Sequence, residues 1–497
     1  MTTLPRARLA GTALALTLGA GLAGAATPAK TPPPGTGGDA PAPTLPGQST
    51  LRYGPFGEVT VYRPGGRVKS VALFVSGDGG WNLGVVDMAR HLLDDGAAVV
   101  GIDVRRYRDA LNAPAAGCKN LAVDFEGLAH EVERRLRLEE YLPPVLVGYS
   151  SGATIAYATV VEAPKGTFAG ALSLGFCPDL DVTQKICKGS GLAYEWTYAK
   201  KPPPTVNGLV FAASPTNATP WIAMQGDADQ VCSPEGTRRF VAATAGAELV
   251  WLPKVGHGFS VEKNWLPQFR AAYAKLVAHA APPKLSVPAI ADLPLVEVPP
   301  AAGAVAPATA FAVMLTGDGG WAGLDQDLAA ALAARGVPVV GWNSLKYYWQ
   351  ARTPEAAAGD LERILEHYAA AWHRSEVLLV GYSFGADVLP FLYNRLPAAR
   401  QGTVRSVNLL APSDEASFEF HVSDWIPGAG GGGHPTAPEL ARLGPVRVLC
   451  LYGAEESDSP CRTLRGPAVT ATALAGGHHF NGDYAGLAAR ILAAAGH

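Results

Sequence analysis

The sequence predicts an α/β protein built as two domains in tandem, each a mostly parallel sheet with helices on both faces, and three observations predict it. The chain repeats itself: Val75-Ser-Gly-Asp-Gly-Gly-Trp81 returns as Leu315-Thr-Gly-Asp-Gly-Gly-Trp321, and Gly148-Tyr-Ser-Ser-Gly152 returns as Gly381-Tyr-Ser-Phe-Gly385. Short apolar runs without helical period alternate with amphipathic stretches, the pattern of a parallel sheet clothed on both sides. At 497 residues the chain has room for two or more domains of ordinary size.

Taken in order, Arg6 and Arg8 precede a Leu/Ala/Gly stretch and Ala23-Gly-Ala25, so 1–26 reads as a secretory signal and export is expected. Residues 27–49 hold Pro, Gly, Thr and Ala with few large apolar groups and read as a flexible leader. In the first domain, 50–281, strands are expected at 71–75, 97–102, 145–147, 169–174 and 219–224, with helices at 85–93, at 121–136 and after Ser151. The stretch 282–304 has the Pro/Ala/Val composition of a linker, although 293–298 reads equally as a first strand of the second domain. In that second domain, 305–497, strands are expected at 312–315, 337–342, 377–380, 404–410 and 446–452, with helices at 354–372 and through Leu389. The glycine run at 428–433 reads as a mobile loop at a site entrance.

A net charge of -3 with 17% charged residues leaves no basic footprint, so nucleic acid is not an expected partner. Six cysteines in an exported chain are expected to pair. Cys450 with Cys461 follows if the second half folds alone. Cys118, Cys177, Cys187 and Cys232 allow three pairings, of which Cys177 with Cys187 closes the shortest loop and is the expected one. No C-x-x-C spacing points to zinc or redox chemistry.

A Gly-x-Ser-x-Gly pentapeptide between a strand and a helix is the nucleophile elbow of the α/β-hydrolases, and two such elbows predict two tandem α/β-hydrolase domains. A serine hydroxyl needs an imidazole to take its proton and a carboxylate to orient that imidazole. In the second half these are Ser383, His478 and either Glu456 or Asp458; in the first they are Ser150, His257 and Asp229. Aligning on Gly226 and Gly453 favours Glu456, whereas aligning on Cys232 and Cys461 favours Asp458. Two N–H donors must face the developing oxyanion, each contributing about 3 kcal/mol. The elbow offers Phe384 or Ser151, and the glycine-rich turn offers Asp318 or Asp78. No cofactor is expected, and no metal: His478 and His479 are adjacent and point different ways, and no Gly-Lys-Ser/Thr follows the glycine-rich turn.

The second half goes further than a generic hydrolase pattern. Thr316-Gly-Asp-Gly-Gly-Trp321, Trp342-Asn-Ser-Leu-Lys-Tyr-Tyr-Trp349, Gly381-Tyr-Ser-Phe-Gly-Ala-Asp-Val-Leu-Pro-Phe391 and Gly476-Gly-His-His-Phe480 resemble the bacterial virulence protein family VirJ, and the two-copy layout is similar to its longer, AcvB-like members. The resemblance implies a periplasmic serine hydrolase acting at the membrane surface on a phospholipid, releasing lysine from lysyl-phosphatidylglycerol. It also implies secretion-system proteins as partners. A lysyl group would suit an acidic, aromatic pocket, for which Asp387, Asp325, Tyr347 and Trp349 are the candidates. Because the first copy lacks the aromatic stretch 342–349 and carries Thr154 in place of Asp387, the main activity is assigned to the second half. The competing readings are a general carboxylesterase and a non-catalytic exported adaptor on the same fold.

Overall fold

The computed structural model describes residues 47–199, 203–280, 287–304, 309–420 and 433–497. The expected signal 1–26, nearly all of the leader and the loop glycines 428–432 lie outside the described residues.

The first lobe runs through β1 (Gln48–Tyr53), β2 (Gly57–Tyr62), β3 (Ser70–Val75), α1 (Leu83–Asp94), β4 (Ala97–Ile102), α2 (Val104–Asn112), α3 (Leu121–Arg135), β5 (Val145–Tyr149), α4 (Ser151–Glu162) and β6 (Gly170–Leu174). A small antiparallel sheet of β7 (Asp179–Leu180), β8 (Tyr194–Tyr198) and β9 (Val206–Phe211) comes next, then β10 (Trp221–Gly226), α5 (Pro234–Ala242), β11 (Ala247–Leu252) and α6 (Leu266–Ala280). The main sheet has the order β1-β2-β4-β3-β5-β6-β10-β11 and is parallel from β4 to β11.

The second lobe holds β12 (Leu295–Val298), β13 (Ala310–Leu315), α7 (Gly323–Ala333), β14 (Val339–Trp342), α8 (Ser344–Tyr347), α9 (Pro354–Ala371), β15 (Glu376–Tyr382), α10 (Phe384–Arg395), α11 (Ala398–Gln401) and β16 (Val404–Leu410). It continues with the short pair β17 (Glu415–Ala416) and β18 (His434–Pro435), then α12 (Ala437–Leu440), β19 (Arg447–Gly453), β20 (Val469–Leu474) and α13 (Tyr484–Ala495). Its order, β12-β14-β13-β15-β16-β19-β20, repeats the order β2-β4-β3-β5-β6-β10-β11 of the first lobe, with β12 antiparallel like β2 and without a counterpart of the outer strand β1. That edge strand, β12, lies inside the stretch 282–304 read as linker, so part of the linker is sheet.

Continuous apolar strands work here because both faces are covered. In β3, Val71, Leu73 and Val75 enter the layer that includes residues of α2, α3 and α4, while Ala72 and Phe74 enter the opposite layer with residues of α1 and α6. In β13 the same alternation sends Phe311, Val313 and Leu315 one way and Ala312 and Met314 the other. Connections leave β3 for β4 on one side while β5 pairs on the other, so the order reverses between β3 and β5. A crevice opens at such a switch point, beyond the carboxyl ends of the strands. The glycine-rich turn and the elbow follow β3 and β5, and so they meet there.

The aromatic stretch of the second half joins the lobes. Trp349 is 1% exposed, donates its indole N–H to the Leu138 carbonyl at 2.9 Å and stacks on Phe420, and its own carbonyl accepts from Arg134 at 2.6 Å. Lys165 pairs with Asp327 across the same boundary at 2.5 Å.

All six cysteines are paired, as Cys118–Cys187, Cys177–Cys232 and Cys450–Cys461. The expected Cys177–Cys187 pair is therefore wrong. Strand neighbours outweigh loop length: Cys177 and Cys232 follow the adjacent strands β6 and β10, while backbone hydrogen bonds of Lys119 with Lys185 and Cys187 lay residue 118 beside 187.

Candidate active site

Both elbows are strained turns. Ser150 has φ 56°, ψ -123° and Ser383 has φ 51°, ψ -122°, a region that non-glycine residues seldom occupy and that clusters at functional sites. The flanking glycines are required by contact rather than by φ. A Cβ on Gly152 would lie 2.3 Å from the Val75 carbonyl oxygen, and one on Gly385 2.3 Å from that of Leu315. The glycine-rich turn is pressed as closely, because a Cβ on Gly77 would come within 3.0 Å of that of Ser150.

Two further repeated residues hold that turn. Ser76 Oγ accepts from the Val104 N–H at 3.1 Å, and Thr316 Oγ1 accepts from the Ser344 N–H at 2.9 Å, tying the ends of neighbouring strands together. Trp81 and Trp321 lie on Gly101 and Gly341, where a Cβ would come 2.0 and 2.1 Å from the indole. The repeated Val-Val-Gly at 99–101 and 339–341 is the sequence signal of this contact, one that the longer motifs hide.

In the first lobe the relay is closed. Ser150 Oγ and His257 Nε2 are 2.9 Å apart, and His257 Nδ1 is 2.9 Å from Asp229 Oδ2. Asp229 also accepts from the backbone N–H groups of Val231 and Cys232 and from the Gln225 amide at 2.8, 2.9 and 3.0 Å. Burial alone would raise its pKa, but the hydrogen bonds from His257, Cys232, Val231 and Gln225 outweigh burial and hold the carboxyl below the usual range. The arrangement can take a proton from the serine hydroxyl and stabilise the resulting imidazolium. Asp229, Cys232 and His257 place potential ligand atoms within 4.8 Å of one another, yet the sulfur of Cys232 is bonded to Cys177 and offers no thiolate to a metal.

In the second lobe the relay is half made. His478 Nδ1 lies 2.6 Å from Glu456 Oε1, and Glu456 Oε2 accepts from the Gly453 N–H at 2.6 Å. The imidazole stands over Tyr382, centroids 5.3 Å apart, much as His257 stands 5.6 Å from Tyr149. No hydrogen bond joins it to Ser383 among the described residues. Its side chain is 42% exposed against 16% for His257. Of the two carboxylates left open by sequence, Glu456 meets the imidazole; Asp458 is exposed on the following turn, and among the described residues no hydrogen bond joins it to the ring. His479 turns away, with its Nδ1 3.1 Å from the Tyr382 hydroxyl, and burial and then its neighbour His478 push its pKa down.

Ser151 and Phe384 open helices α4 and α10, where the first N–H groups have no intrahelical carbonyl and suit an oxyanion. The side chains of the paired turn residues differ. Asp78 is bound by Arg108 at 2.6 Å and accepts from Ser151 Oγ at 3.2 Å. Around Asp318 the surroundings are acidic. Glu126, from α3 of the first lobe, brings Oε1 to 3.9 Å from where a side chain on Gly319 would begin, and burial and then Asp318 push its carboxyl up to about 8. Asp387 is buried, accepts from Ser413 N–H and Oγ at 2.6 and 2.7 Å, and is pushed up to about 7 chiefly by burial. Asp325 is 4% exposed, has one carboxylate oxygen buried without a hydrogen-bond partner, and is held well above the usual carboxylate range chiefly by burial.

Two of the expected pocket residues are elsewhere. Trp349 is in the lobe boundary, and Tyr347 is 2% exposed with its hydroxyl on Asp360 at 2.6 Å. Their neighbour Tyr348 comes nearer the elbow, packing on Phe384 with centroids 5.1 Å apart. Glu126 was missed because its approach spans two lobes and leaves no local pattern.

Among solved structures the chain is similar to an α/β serine hydrolase homologue from Coxiella burnetii, at 22% identity and a TM-score of 0.30 over 48% of this chain and 100% of that one. It is similar also to an α/β serine hydrolase without a lid from Xanthomonas campestris (21%, TM-score 0.31, 50% and 100% covered). A third is the esterase domain of a Rhodothermus marinus protein (17%, TM-score 0.30, 45% and 93% covered). No curated protein sequence matches the chain. The family model described as bacterial virulence protein (VirJ) matches residues 69–170 and 309–497, more than half of the chain and part of each lobe. With both elbows inside the matched segments, this α/β-hydrolase chain belongs to the VirJ family.

Proposed function

We propose that the protein is a serine ester hydrolase with a site in each lobe. The observation that carries this reading is the Ser150–His257–Asp229 relay, with both links at 2.9 Å. Ser150 Oγ attacks the ester carbonyl as His257 Nε2 takes its proton, and Asp229 stabilises the imidazolium. The N–H groups of Asp78 and Ser151 face the oxyanion. The imidazolium then protonates the leaving alcohol, and water, deprotonated by the same nitrogen, frees the acid. Ser383, His478 and Glu456 act alike in the second lobe once substrate brings the serine and imidazole together, as apo relays tighten in the complex.

The substrate we assign to the second lobe is an aminoacyl ester of phosphatidylglycerol, lysyl-phosphatidylglycerol in particular. Family membership supports it, and an ammonium group brought among Asp318, Asp325, Asp387 and Glu126 would favour the ionised carboxylates that burial, and then repulsion from Asp318, disfavour in its absence. A periplasmic location goes with this reading. The composition of 1–26, three disulfides and the lack, among the described residues, of any helix long and apolar enough to cross a membrane all support it.

The test offers purified protein lysyl-phosphatidylglycerol and a short-chain ester, as wild type, Ser150→Ala, Ser383→Ala and the double variant. Lysine release that disappears with Ser383→Ala supports the assignment. Lysine release unchanged in the double variant overturns the hydrolase reading, and release lost only with Ser150→Ala moves the lipid to the first lobe.

A further inference from the structure

Three segments carry the first lobe's relay: α4 behind Ser150, the loop after β10 with Asp229, and the loop after β11 with His257. One covalent bond bears on all three. The N–H of Cys232 donates to Asp229 Oδ1 at 2.9 Å, so this cysteine fixes the acid directly. Its sulfur lies 3.3 Å from the carbonyl oxygen of Gly175. Gly175 backs the imidazole so closely that a Cβ there would begin 3.1 Å from His257 Nδ1, and at φ 63° it holds a conformation that favours glycine. At the other end of the bond, the carbonyl of Cys177 accepts from Thr154 Oγ1 at 2.5 Å, and Thr154 lies on α4 one turn beyond Ser150.

The second lobe lacks this tie. Its disulfide joins Cys450 within β19 to Cys461, 11 residues on, and so does not reach the loop after β16. There Asp387 of α10 holds Ser413 by hydrogen bonds alone. The lobe with the cross-loop bond has both links of its relay made; the lobe without it keeps its acid–imidazole link, on a loop that Cys450–Cys461 closes locally, and lacks the serine–imidazole link.

We propose that the Cys177–Cys232 disulfide is the positioning element of the first lobe's relay, clamping the acid loop where Asp229 orients His257. Its catalytic consequence rests on the hydrolase reading above; its structural consequence does not. Without the bond, the loop after β10 is held to the loop after β6 by non-covalent contacts only, and the carboxylate wanders from the imidazole.

The experiment compares the full chain as wild type, as Cys177→Ser/Cys232→Ser, and as Cys118→Ser/Cys187→Ser, which removes the other disulfide of the same lobe. Low-field proton NMR reads each His–carboxylate hydrogen bond, with His257→Gln and His478→Gln assigning the two resonances. The His257 resonance is expected to vanish in the first double variant and persist in the second, while the His478 resonance persists in both and reports an intact second lobe. In a Ser383→Ala background the first double variant is expected to lose about 100-fold in kcat with KM nearly unchanged, since misplacement on the order of 1 Å costs that much. A His257 resonance unchanged from wild type overturns the proposal, as does an equal loss on removing Cys118–Cys187. If the wild-type first lobe turns over no ester, the hydrolase reading fails for that lobe and the His257 resonance alone decides the positioning claim.

Discussion

The two lobes share a strand order, a glycine-rich turn and an elbow whose backbone angles agree within 5°, at φ 56° and 51° with ψ -123° and -122°, yet their relays differ. In the first, a short acid whose side chain is 1% exposed holds an imidazole that reaches the serine. In the second, a longer acid, 17% exposed, holds an imidazole that opens toward solvent. The sheet therefore dictates where the serine stands, while burial and loop fastening decide whether the histidine meets it.

The sharpest way to break this comparison is to remove one serine at a time on an ester that both lobes turn over. Ser150→Ala in a Ser383→Ala background should abolish turnover, a loss of at least roughly 10⁴-fold. Turnover that survives would put the chemistry somewhere else. The acids come next. Asp229→Asn should cost the first lobe about 10⁴-fold in kcat by imposing the wrong tautomer, whereas Glu456→Gln, acting on a more exposed imidazole, should cost the second lobe only about 100-fold; equal losses would mean the relays are alike under turnover.

Stability tests the shared part. Gly152→Ala and Gly385→Ala each drive a methyl to 2.3 Å from a backbone carbonyl, and each should cost about 4 kcal/mol in urea unfolding. A loss confined to one lobe would show that the elbows are not equivalent. The smallest effect is a pH slope. Asp387 is raised to about 7, so below the ordinary carboxylate range both folded and unfolded states are protonated and stability is full. Between that range and about 7 only the unfolded chain ionises, and stability falls as pH rises. Asp229, held below the usual range, gives the opposite slope: its contribution is present above the ordinary range and lost as pH falls through its folded pKa. Asp387→Asn should flatten the decline toward neutrality, read as Tm against pH, and a decline that persists would assign it to Glu126 or another buried acid.

Much of this architecture was legible because it is local. A continuous apolar run marks a doubly covered strand, and Gly-x-Ser-x-Gly marks a turn that only glycines can flank, so 71–75, 145–147 and both serines could be read directly. Counting past Gly453 pointed to Glu456 and counting back from Cys461 to Asp458, so spacing alone left the carboxylate beside His478 open. What escaped depends on distant packing. Loop length pointed Cys177 at Cys187, when strand order brings Cys232 beside it. Aromatic density made Tyr347 and Trp349 resemble a pocket wall, since a residue type says that apolar surface will be covered without saying by what. Which of two complete sets of catalytic types forms the closed hydrogen bond depends on tenths of an ångström that no spacing encodes.

The place of Trp349 bears on how this gene product can be divided. Its indole is sealed by the other half of the molecule, with Leu138 taking its N–H and Arg134 4.5 Å above its ring. A fragment beginning near residue 287 would carry its own sheet and site, yet display a large greasy ring with a stranded donor beside it. Such a fragment should clump or self-associate until position 349 is made polar, so the duplicated ancestor has become a pair whose members no longer travel well alone.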